Sequence, residues 1–152
     1  MSNKLILTAT PTIDTGLYAS GDAVGGLLTF DGAGSWPKYS GTILKVVIID
    51  KDSEKAPLDL VLFDRTFTAT ADQAAFDPTD ADLANYIGFI NVAASDYVAF
   101  NDNSVAVKTS GSQMPFDYVL NGNALYGQLV VRSGPTYTAT TDLKVKIVVE
   151  VD

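Results

Sequence analysis

The chain has 152 residues, no cysteine, no histidine, a net charge of −8 and a pI near 4.3. Those values exclude a disulfide framework, a thiolate metal centre, and any mechanism that needs a histidine base or a cysteine nucleophile. An apolar fraction of 47% with 18% charged residues supports one hydrophobic core and lies far from the composition of disordered chains.

At the N-terminus, the apolar run in Met1-Ser2-Asn3-Lys4-Leu5-Ile6-Leu7-Thr8 is too short for a signal-peptide core or a membrane span, so synthesis and folding in a cytoplasm are expected. Residues 1–24, punctuated by Pro11, Gly16 and Gly21, read as an N-terminal arm or a first strand, followed by one domain over 25–152. Short extended runs are expected from Leu5 to Thr10 and from Gly26 to Phe30. Thr42 to Ile49 and Leu58 to Phe63 are rich in β-branched and other apolar residues, which predicts central strands covered on both faces.

Asp77 to Ile87 carries the sequence signature of a short helix. Asp77 is placed to cap it, Pro78 suits the first turn, Asp80 and Asp82 favour its positive end, and Leu83, Tyr86 and Ile87 share a face. Further strands are expected from Gly88 to Ala93, Tyr97 to Phe100, Val105 to Thr109, Phe116 to Leu120 and Leu125 to Arg132. Asn101 to Ser104 reads as a turn, and Asn121-Gly122 as a tight hairpin. At the C-terminus, Leu143, Val145, Ile147, Val149 and Val151 alternate with Lys144, Lys146, Val148 and Glu150, the pattern of a strand with one buried face. Many short strands at this spacing predict an all-β fold: a jelly-roll-like antiparallel β-sandwich with one short helix in a loop. An immunoglobulin-like sandwich fits less well, because the chain is longer than that fold needs and lacks its Cys…Trp…Cys pattern.

Candidate chemistry is sparse. Asp59 with Asp64, or Asp50 with Asp52, has the composition of a carboxylate pair, but acids at strand ends ordinarily serve turns. Asp77 to Asp82 lacks the sixth-position glycine and twelfth-position glutamate of a calcium loop, and helix capping accounts for its acids; no metal or other cofactor is expected. Lys4, Lys45, Lys144 and Lys146 are scattered along the chain without a basic stripe, which disfavours nucleic acid as a partner. Trp36 and Tyr39 lie in a polar, glycine-containing loop, where Trp36 either anchors a partner or folds back over the core.

Three stretches carry a likeness: Pro57 to Asp64; Ala75 to Leu83, running on to Ser95-Asp96-Tyr97; and Val130 to Ala139, which leads into the last strand. Together they resemble small jelly-roll cement or decoration proteins encoded beside the major capsid protein in tailed bacteriophages, over about Gly25 to the C-terminus. The resemblance implies a non-enzymatic virion protein that is made in the host cytoplasm and stabilises an icosahedral capsid by bridging major capsid subunits. It supplies no catalytic residues. Self-association is expected with it, a dimer slightly ahead of a trimer, and no membrane partner. Partner contacts are assigned to Leu5, Leu7 and Tyr18 on the arm and to Trp36 and Tyr39 on the loop. The alternative is a carbohydrate-binding or adhesin module displayed on a virion.

Overall fold

The computed structural model describes residues 3–111 and 113–152, so Met1 and Ser2 of the expected arm lie outside the described residues. Its strands are β1 (Asn3–Ala9), β2 (Ala23–Asp31), β3 (Ser40–Asp50), β4 (Leu58–Phe63), β5 (Tyr86–Val92), β6 (Tyr97–Ala99), β7 (Ser104–Lys108), β8 (Phe116–Val119), β9 (Ala124–Val131) and β10 (Leu143–Val151). The larger sheet runs β1-β10-β3-β7-β6, and β8 pairs with β3 beyond the end of β7; the smaller sheet runs β2-β9-β4-β5. From β1 to β4 each strand lies in the opposite sheet to the one before it, and β8, β9 and β10 alternate again. This winding between two antiparallel sheets is a jelly roll, the expected class.

Alternation explains the core. In β10 the residues from Leu143 to Val151 at odd positions are buried against the smaller sheet, and Lys144, Lys146, Val148 and Glu150 are half-buried on the other side. Each fully buried Val, Leu or Ile stabilises the fold by roughly 1.5–3 kcal/mol. β4 is buried at every position, as its largely apolar run predicts, Asp59 included through its ion pair with Arg132. β3 departs from that expectation: Ile43, Val46 and Ile48 are buried, whereas Thr42, Lys45, Val47 and Ile49 are half-buried, because no other element of the described chain packs over that face.

The arm is part of the sandwich. β1 pairs with β10 from Asn3↔Val151 to Ala9↔Val145, and Ile13 and Tyr18 are buried in the same core. Pro11 packs against Gly25, whose φ is +74°; a Cβ on Gly25 would stand 2.5 Å from Pro11 Cβ, so that position requires glycine. Two local expectations are also corrected. The helix is a single turn, Asp80–Leu83, capped by Thr79 in place of Asp77, with Thr79 Oγ1 accepting from Asp82 N; Tyr86 and Ile87 belong to β5. Asn121-Gly122 closes no hairpin, since β8 and β9 lie in different sheets. Asn101 to Ser104 does turn β6 into β7, with Phe100 N donating to Asn103 O at 2.8 Å.

Residues 64–85, between β4 and β5, fold back over the outer face of the smaller sheet. Phe67, Ala69 and Phe76 from this segment pack on Val61, Phe63, Tyr126 and Val130, forming a second apolar cluster behind the main core. Phe63 and Phe67 stack with ring centroids 3.9 Å apart. Buried Gln128 fastens the cover: its amide nitrogen donates to Gly25 O and Thr70 O, and its carbonyl accepts from Thr70 N.

Candidate functional site

The loop between β2 and β3 is held from beneath by its own backbone. Gly34 N donates to Asn123 O at 2.9 Å, the Tyr118 hydroxyl donates to Ala33 O at 2.8 Å, and Leu120 N donates to Tyr39 O at 2.8 Å. Burial pushes the Tyr118 phenol up to about 12, so it remains a neutral donor. Trp36 stands on this platform 77% exposed, which removes the lid reading. Tyr39 is half-buried against the main core and supports the loop.

The loop adjoins β1, for Leu7 Cδ2 lies 3.9 Å from the place a Cβ on Gly32 would occupy. Leu5 and Leu7 point toward the core beside Val149 and Ile147; Leu7 packs there, and Leu5 is left partly open at the rim. Along its other edge β1 pairs with no strand of the described residues. Its outward residue is Ile6, 65% exposed, which the arm assignment passed over although the Lys4, Ile6, Thr8 alternation marks it. Tyr18 is corrected: it is fully buried, its hydroxyl accepts from Asp14 N at 2.8 Å and donates to Asp72 Oδ1 at 2.7 Å, and it has no surface to offer a partner. Burial is also the main reason its phenol is held well above the usual value.

A second feature lies on the smaller sheet where the cover stops short. Cross-strand pairs Phe63↔Tyr86 and Val61↔Phe89, with Asp59, floor a cleft of about 290 Å³, walled by Phe76, Pro78 and Leu83. At its polar end Asp59 accepts from Arg132 Nε at 2.7 Å and from Asn91 Nδ2 at 2.8 Å, and half of the Arg132 side chain stays exposed. Burial and the Asp59 charge hold the Tyr86 phenol above its ordinary value. No single sequence signal marked this cleft, because its residues come from both strands of a pair and from the segment between them.

The acidic pairs serve structure. Asp59 is engaged as described, Asp64 accepts from Arg65, and buried Asp50 accepts from Asp52 N and Lys55 N, each at 2.9 Å. Burial raises the Asp50 carboxyl above its usual value, against the lowering effect of those N–H groups. Asp77 likewise donates its N–H to Thr70 Oγ1, tying the cover to itself.

Strand order and exposed features place the chain in the class of double-sheet jelly rolls, an architecture shared by viral capsid, lectin and cupin domains. Such a fold hosts many functions and assigns none by itself. No protein-family model matches the chain, and no curated protein matches it.

Proposed function

We propose that this protein is a non-enzymatic decoration protein of a tailed-bacteriophage capsid, made in the host cytoplasm and bound to the virion surface, where it cements the shell by bridging major capsid subunits. The observation that carries the reading is the exposed Trp36 loop beside β1, whose other edge pairs with no strand of the described residues. An exposed tryptophan on a backbone-braced loop is an interface anchor, and a free strand edge accepts an extended segment from a neighbour. Two such contacts on one rigid domain can engage two subunits at once, and many copies on a lattice then bind with avidity. The sequence likeness supplies the capsid; the surface supplies the means of holding it. No catalytic step belongs to this reading, since the chain has neither histidine nor cysteine and its best-placed carboxylates are engaged in an ion pair and in turns. A homo-oligomer that repeats the symmetry of the lattice, a dimer before a trimer, accords with it.

Co-sedimentation with shells assembled from the major capsid protein of the phage that carries this chain's gene tests the reading. The protein should pellet with shells and stay in solution with dispersed subunits, and Trp36→Ala should weaken attachment by about 2 kcal/mol, roughly 30-fold. Equal binding to shells and dispersed subunits, or to neither, would sink it. A second reading, a carbohydrate-binding module displayed on the virion, draws on the aromatic cleft, where Tyr86 and Phe89 stand beside Arg132. Glycan binding abolished by Tyr86→Ala, with shells ignored, would favour that account.

A further inference from the structure

The lysines that lie far apart in the chain meet on one face of the larger sheet. Directly paired strand residues share a face, so the register fixes the arrangement. Lys45 lies opposite Val148, which lies opposite Ile6; Lys146 lies between Thr8 and Val47; Lys144 is opposite Ile49; and Lys4 is opposite Glu150. Beyond β3, Val47 meets Val107, and Ile49 meets Val105, which meets Val98. Four of the ten cationic residues of a chain with net charge −8 therefore share one surface with a row of β-branched side chains. The expectation that these lysines are scattered is corrected by strand pairing.

This face is open. Ile6 is 65%, Val98 60% and Val107 48% exposed. The ion pairs among the described residues join Arg65 to Asp64, Lys108 to Asp96 and Arg132 to Asp59, so these four lysines are engaged by none of them. Lysine stems lie along apolar surface while their ammonium groups reach outward, which gives the face an apolar floor and a cationic fringe.

We infer that the outer face of the larger sheet is a docking surface for an acidic protein surface, which under the cement reading is the exposed face of an assembled capsid subunit. Charge complementarity selects this occupant. The four lysines outnumber Glu150 and Asp117, the acids that the register places on the same face, so a two-fold pairing with its own copy would set net positive charge against net positive charge, which is unfavourable across an interface. The inference rests on the cement reading for the identity of the partner and adds to it the face and the chemistry of contact. Lys4 and Ile6 carry this face onto β1, the strand whose Leu7 lies against Gly32 of the Trp36 loop.

The test is co-sedimentation of the full chain with the same shells, comparing wild type with Lys45→Glu/Lys146→Glu, whose folding is checked by circular dichroism. The double reversal should weaken binding at least about 10-fold, and wild-type affinity should fall steadily as salt is raised. If the reversed protein does not fold, Lys45→Gln/Lys146→Gln replaces it, with a smaller loss in the same direction. Wild type that binds shells with no salt dependence, or a folded variant that binds within about two-fold of it, overturns the docking face and leaves the cement reading standing. Wild type that binds no shells overturns both. Binding of wild type to duplex DNA at physiological salt, lost on reversal, would overturn the inference by giving the face to nucleic acid.

Discussion

The two sheets treat their outer faces in opposite ways. The smaller sheet covers most of its own: residues 64–85 return over β4 and β9, bury Phe63 and Val130 behind the main core, and leave only the cleft beside β5 open. The larger sheet offers Val47, Ile49, Val105 and Val148 half-buried and Ile6 and Val98 exposed, with lysines among them and no segment of the described chain across them. One face completes the stability of the monomer. The other leaves apolar side chains at the surface among lysines, a composition that would gain from burial against a partner of the proposed kind.

The sharpest way to break this contrast is Phe63→Ala. It empties a fully buried site stacked on Phe67 and edge-on to Tyr86, and should cost about 3–5 kcal/mol in urea unfolding. A loss under about 1 kcal/mol would mean that the cover contributes little and that both faces are effectively bare. Gln128→Leu should come next. It keeps the bulk but leaves Gly25 O and the Thr70 backbone groups without their partner, costing about 1–3 kcal/mol, and it should speed proteolysis within residues 64–85. Unchanged stability and cleavage would show that the cover is held by its aromatics alone.

The smallest effect belongs to the bare face. Val107→Thr, on an exposed position opposite Val47, should change stability by no more than about 0.5 kcal/mol. A cost comparable with that of Phe63→Ala would show that the face is already covered in solution, and a concentration-dependent melting temperature would then identify a second copy as the cover.

Strand locations were largely legible because alternation is a local signal. The side chains at Leu143, Val145 and Ile147 declare a buried face within a few residues, and the run at Leu58 to Phe63, apolar but for Asp59, declares two. The helix was misread in extent because apolar spacing at Leu83, Tyr86 and Ile87 satisfies a helical period, whereas pairing of Phe63 with Tyr86 holds the second half of that segment extended. Membership of the arm marks Tyr18 as a contact residue in the sequence, whereas its burial goes with a hydrogen bond to Asp72, far along the chain, which no local pattern announces. Trp36 was legible as a candidate, and its exposure was not, since the loop's position is set by bonds to Tyr118, Leu120 and Asn123, all remote in the chain.

The amino-acid sequence by itself determined an all-β sandwich with a buried core, a short helix in a loop, and a chemistry without histidine or cysteine. Those properties depend on composition and on residues within a few positions of one another. Tertiary structure decided which strands became neighbours, and with that the position of every surface feature. Lys4 stands opposite Glu150, and Lys45 opposite Val148, through pairings between segments remote in the chain. Strand periodicity specifies which face a side chain takes but carries no label for its partner strand. The lysine-fringed face and the aromatic cleft are therefore products of register, set only when the whole sandwich closes around its core.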